Sequence, residues 1–219
     1  MRRQPPPLVT RFVLASASPR RFELLTRLGL DFDVRPTHID ESAGKAKDLR
    51  IVAHRIARAK AEAARLVDEK SPIIAADTVV SLDGELLGKP EDSDDARRML
   101  RALRNRTHEV VTAVTLMPTG KRSVLARNPL TRVRMRDYAD AEIEASISRG
   151  VPFDKAGAYG MQDPDFVSVA SYDGCYCNVV GLPLWPLLEM LRKVGMPVDL
   201  TRDRLLPQCA NCPFAPPAT

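Results

Sequence analysis

Along this chain, short apolar runs alternate with stretches in which apolar residues recur every three or four positions. Phe12-Val13-Leu14-Ala15 and Ile73-Ile74-Ala75-Ala76 read as buried strands. Around Phe22, Leu25 and Leu28, and again over Val52, Ile56, Ala59, Ala63 and Val67, the spacing predicts helices with one apolar face. A third helical pattern covers Ala96, Met99, Leu100 and Leu103. A short one runs from Asp140 to Gly150, and a last one from Pro183 to Gly195. Further strands are predicted at Phe32–Arg35, Val79–Leu82, Glu85–Leu87, Val110–Leu116 and Leu130–Arg136. Strands alternating with helices, without an internal repeat or a separating linker, point to a single α/β domain.

The punctuation between these segments agrees with them. Ser18 is placed to cap a helix with Pro19 in its first turn, and Gly29 to end it. Asp48 opens the long helix, Ser93 the third, and Asp83-Gly84 is a favoured hairpin turn. In Leu130–Arg136, Thr131, Val133 and Met135 alternate with Arg132, Arg134 and Arg136, so one face is solvated or meets an anion. Residues 1–7 read as an Arg/Pro-rich tail, 8–195 as the domain and 196–219 as a second tail.

Composition removes several classes. With 44% hydrophobic and 28% charged residues, disorder throughout is excluded. No apolar run approaches the roughly 20 residues of a membrane span, and Met1–Thr10 lacks the apolar stretch of a signal peptide. The expectation is a soluble, cytoplasmic protein with no membrane partner. Thirty-three Lys and Arg against 28 Asp and Glu leave a net charge of +5, which favours an anionic partner. Aromatic residues at 5% are thin for stacking on single strands, so nucleic acid is not expected. The four cysteines fall in two pairs, Cys175/Cys177 and Cys209/Cys212. The second pair has the spacing of half a zinc site or a redox pair, but the first is one residue short. Cys209 and Cys212 are therefore expected to be incidental residues of a tail. His38, His54 and His108 show no metal spacing.

Five segments carry candidate chemistry. Ser16-Ala17-Ser18-Pro19-Arg20-Arg21 lies between a strand and a helix start, where backbone amides and two arginines favour phosphate; an ordinary capped helix is the plain alternative. Asp77, followed by Thr78, is expected at the carboxyl end of an apolar strand, where open α/β sheets place ligand-binding groups, or in a simple turn. Gly88-Lys89-Pro90 holds a lysine just past the hairpin. Asp154-Lys155-Ala156-Gly157-Ala158-Tyr159-Gly160-Met161-Gln162 is a small-residue loop ending in an amide suited to a base edge. Asn178 to Leu184 reads as a structural strand-to-helix passage.

In this order, S-x-S-P-R-R, A-D-T, G-K-P, D-K-A-G-A-Y-G-x-Q and V-V-G-L-P-L resemble the Maf family of nucleoside triphosphate pyrophosphatases, from about Phe12 to Gly195. The resemblance implies a two-lobed α/β fold like that of inosine triphosphatases, with a mixed sheet, flanking helices and a central cleft, often as a homodimer. It implies cleavage between the α- and β-phosphates with a divalent metal, Mg or Mn. Arg20, Thr78 and Gln162 are similar to the marks of the dTTP/UTP branch. Asp77 would then be catalytic and, with Glu41, would hold the metal. Ser16, Ser18, Arg20, Arg21, Lys60, Thr78, Lys89, Lys155 and Gln162 would bind or select the substrate. A non-catalytic nucleotide-binding regulator of septum formation is the alternative that the same resemblance carries.

Overall fold

The computed structural model describes residues 11–40, 48–120, 123–198 and 205–216. Glu41, expected to help hold a metal, lies outside them. Among the described residues eight strands form one mixed sheet. They are β1 (Phe12–Leu14), β2 (Phe32–Val34), β3 (Ile73–Leu82), β4 (Glu85–Leu87), β5 (Thr107–Met117), β6 (Leu125–Arg127), β7 (Leu130–Met135) and β8 (Val169–Asp173). The order is β2-β1-β3-β5-β7-β8, with β4 paired to β3 and β6 to β5. Pairing is parallel among β1, β2 and β3 and antiparallel elsewhere. The helices are α1 (Pro19–Arg27), α2 (Leu49–Val67), α3 (Ser93–Leu103), α4 (Asp140–Ser148), α5 (Tyr176–Val180) and α6 (Leu184–Lys193).

Side-chain alternation along β3 sorts the core. Ile73, Ala75 and Val79 pack with α2, through Ala61 and Ala64 at one end and Val52, Ala53, Ile56 and Ala57 at the other. On the opposite face Ile74 and Ala76 join Leu24, Leu25, Leu187 and Met190 of α1 and α6. Further along, Val80 and Leu82 join α3 and α4 through Leu100, Leu103 and Ile143. The two clusters occupy different stretches of that face.

Several local expectations shift. Phe22 is 47% exposed and meets Phe32 edge-on, while Leu24 takes the buried place. The buried face of α2 is Val52, Ala53, Ile56, Ala57, Lys60, Ala61 and Ala64, so Val67 points to solvent. A lysine inside that stripe interrupts the apolar pattern, which is why the period read from apolar residues alone drifts. Asp48 caps α2 as expected, accepting from the Arg50 and Ile51 amides. Ser18 precedes α1 without a side-chain cap bond, and α3 is capped by Asp92 rather than Ser93. Asp83 and Gly84, both at positive φ, make the predicted hairpin turn. On β7 the alternation holds; exposed Arg132 lies 3.4 Å from Glu109 and Arg134 bonds Asn105, so that face is solvated.

Candidate active site

β3 is a single ten-residue strand, so Asp77 sits in its middle and not at its end. The reason it is accessible lies in the neighbouring strands. β1 pairs with β3 at Ile73 and Ile74 and then leaves, and β4 takes the same edge only from Val80 to Leu82. Asp77 and Thr78 occupy the gap between those pairings. The gap opens into a cleft of about 780 Å³, whose lining includes Ser16, Ser18, Arg20, Arg21, Lys60, Asp77, Thr78, Lys89, Lys155 and Gln162. Every candidate residue among the described ones thus faces one cavity.

Pleating turns Asp77 and Thr78 to opposite faces of the sheet, and each has its own support. On the α2 side, Lys60 Nζ lies 2.7 Å from Asp77 Oδ1, with both side chains more than nine-tenths buried. On the other side, Arg21 donates from Nε to the Gly181 carbonyl (2.9 Å), from Nη1 to Ser16 Oγ (3.1 Å) and from Nη2 to Thr78 Oγ1 (3.2 Å). Gly181 has φ +120°, and a Cβ there would lie 3.3 Å from Thr78 Oγ1 and 3.5 Å from Arg21 Nε. Glycine is what lets that carbonyl reach the guanidinium.

The hydroxyl network behind Thr78 has a defined sense. Thr112 stands opposite Thr78 on β5, and their hydroxyls are 2.9 Å apart. Thr112 gives its one proton to the Asn178 carbonyl at 2.5 Å, so Thr78 donates to Thr112 and accepts from Arg21. Asn178, fully buried, also accepts from the Thr112 amide and donates to the Val110 carbonyl and Thr131 Oγ1. The passage Asn178–Leu184 is thus not strand-to-helix but the end of α5 followed by α6, with Asn178 tying it to two strands. No motif spacing in the sequence marks Thr112 as its partner.

At the far wall, Arg20 Nη1 meets Asp154 Oδ2 at 2.7 Å, and Lys155 Nζ meets Asp154 Oδ1 and the Val151 carbonyl, both at 2.5 Å. Burial pushes the Asp154 carboxyl up, but the bonds from Lys155 and Arg20 outweigh it and leave its pKa lowered. Gly157, at φ +73°, donates its amide to the Gly88 carbonyl at 2.9 Å, joining this loop to the Lys89 segment. Lys89 and Gln162 are exposed at the rim. The Gln162 side chain lies beside the Tyr176 hydroxyl, whose pKa is raised by burial. Asp154 and Tyr176 carry these contacts although sequence reasoning gave neither a role. The signal for Asp154 was its place beside Lys155 in the loop motif.

A model of the Maf-like protein family matches residues 11–194. Among curated relatives, the dTTP/UTP pyrophosphatase of Thermomicrobium roseum is 49% identical over 93% of this chain and 94% of its own. That of Chromobacterium violaceum is 46% identical over 85% and 96%, respectively. Among solved structures, the Staphylococcus aureus Ham1 protein aligns with TM-score 0.43 and 17% identity, over 58% of this chain and 73% of its own. With a family model matching from β1 through α6 and relatives identical at nearly half of their aligned positions, this chain belongs to the Maf family.

Proposed function

We propose that this protein hydrolyses dTTP and UTP to the nucleoside monophosphate and pyrophosphate. The observation that carries the reading is the convergence of one buried carboxylate, Asp77, with the cations Arg20, Arg21, Lys89 and Lys155 on a single cleft. Relatives that cover nearly the whole chain are named for that activity.

Cutting the α–β bond requires a water aimed at the α-phosphorus and neutralisation of the departing pyrophosphate. Asp77 is the carboxylate to orient that water and take its proton. Lys60 holds Asp77 through Oδ1, a positioning role in place of the direct triphosphate contact that its charge suggests. Arg20 and Lys155 now share Asp154. A triphosphate would draw them away, while Arg21, fixed by three acceptors, offers a rigid guanidinium edge. The hard oxygens of Asp77 and Glu41 suit a divalent cation such as Mg²⁺, which is held by one or two carboxylates with waters and substrate phosphates rather than by a closed protein cage. Such an ion would supply charge neutralisation at the phosphates. Among the described residues no group of three acidic, His or Cys side chains forms such a cage, and this chemistry requires none.

The same reading includes a homodimer and a cytoplasmic setting. Within the described residues no helix is long and apolar enough to cross a membrane. Incubation with dTTP or UTP and Mg²⁺ is expected to release pyrophosphate. Orthophosphate alone, or nucleotide binding without turnover as a septum regulator would show, overturns the proposal.

A further inference from the structure

Cys209 and Cys212 are not incidental. Both are buried, at 1% and 6% exposure, in the same core cluster as Cys175 and Cys177. Cys175 immediately precedes α5 in extended conformation and Cys177 lies in its first turn, so a one-residue spacing still turns both thiols to one side. Cys209 closes a short 3-10 helix, and the Cys212 amide bonds back to its carbonyl at 3.3 Å, which wraps the second pair around the same point. Cys177 Sγ and Cys209 Sγ are 3.1 Å apart although 32 residues separate them in sequence. Cys175 in turn contacts both Cys177 and Cys212 through its sulfur. The four thiols therefore form one connected group.

Thiolate is the form of cysteine that binds metal, and each of the four residues can supply one. A pair destined only for a disulfide uses two sulfurs; here two segments far apart in the chain each deliver two.

We propose that Cys175, Cys177, Cys209 and Cys212 form a tetrathiolate site for one structural zinc ion, which fastens the segment 205–216 to the N-terminus of α5. Four thiolates about 2.3 Å from zinc keep sulfur–sulfur distances of about 3.8 Å. The Cys177 and Cys209 sulfurs, at 3.1 Å, stand closer than that, and as the side chains stand no group of three or more His, Cys, Asp or Glu among the described residues is arranged to hold a metal ion. Binding draws each sulfur back by a few tenths of an ångström. Tyr176 lies between the first two ligands and Asn178 directly after them, so the zinc also steadies the helix that supports Thr112 and meets Gln162. None of the four cysteines lines the cleft.

The test uses the full chain purified under nitrogen without added chelator. Elemental analysis is expected to find about one zinc per chain. Stripping and titration with Co²⁺ should give the visible bands and sulfur-to-metal charge transfer of a tetrahedral cobalt tetrathiolate. A strong chelator should lower Tm in the wild type but not in Cys209→Ser/Cys212→Ser, which should retain its α/β circular dichroism and bind no zinc. If that variant fails to fold, the cobalt titration of the wild type still decides. Metal-free protein with four titratable thiols and no cobalt spectrum overturns the proposal, as does protein that carries these cysteines as disulfides.

Discussion

Lys60 and Asp77 meet across the packing of α2 on β3, ammonium to carboxylate at 2.7 Å, in a place from which water is nearly excluded. A charged pair in such a position gains its Coulomb energy only against a desolvation cost of similar size. The pairing is therefore better understood as fixing the direction of Asp77 than as a source of stability.

Asp77→Asn keeps the shape of the side chain and removes its capacity to take a proton. Turnover of dTTP is expected to fall by about 100-fold or more, the usual scale for a lost acid–base group, while nucleotide binding persists. Steady-state kinetics beside calorimetric titration checks both halves. Unchanged turnover would remove Asp77 from its role.

Lys60→Met leaves the Asp77 carboxylate buried without its cation. Breaking one side of such a pair costs about 3–5 kcal/mol. The double variant Lys60→Met/Asp77→Asn should recover part of that loss. Denaturant unfolding of the two single variants and the double one measures the coupling, and strict additivity would contradict it.

Uracil and thymine present an acceptor–donor–acceptor edge, which the Gln162 amide can match and cytosine inverts. Unpaired polar groups at a buried base edge cost a few kcal/mol, roughly 100-fold in selectivity. The expected order is dTTP and UTP well ahead of CTP, ATP and GTP. Gln162→Ala should narrow that gap more than it slows UTP, and Tyr176→Phe, which removes the hydroxyl that Gln162 meets, should do so more weakly. Equal rates on UTP and GTP in the wild type would overturn the assignment.

His108 is buried at 2% exposure with Nε2 2.8 Å from the Tyr159 hydroxyl, and burial pushes its pKa down from 6.5 to about 4. The unfolded chain therefore binds a proton between about pH 6.5 and pH 4 that the folded one refuses. Stability from this residue is complete above pH 6.5 and is lost as the pH falls to 4, on the order of 3 kcal/mol in all. Thermal unfolding from pH 7 to pH 4 should show this decline, and His108→Gln should flatten it.

Much of this was legible beforehand. The order of strands and helices, the Asp48 cap, the Asp83-Gly84 turn and the alternation on β7 follow from local chemistry, so a single sequence carries them. Most of the candidate residues gathered at the cleft were legible because they stand beside a local signal: an apolar strand, a helix start or a small-residue loop. Lys60 was harder. It interrupts an apolar stripe, and only packing against β3 shows that the interruption is buried. The short strands β6 and β8 and the five-residue helix α5 left no readable period, because segments of three to five residues are too short to display one.

The sequence by itself determined the α/β class, the family resemblance and the candidate residues that line the cleft, since these depend on neighbours in the chain and on the order of motifs. Tertiary structure decided that Asp77 sits in mid-strand at a gap left by β1 and β4, and that Lys60 supports it. It also decided that Thr112 and Asn178 fix the sense of the Thr78 hydrogen bond, and that four cysteines from two distant segments share one buried point. Each of these is a meeting of residues far apart in the chain. Such meetings are set by how strands diverge and helices pack, and no spacing along the chain records them.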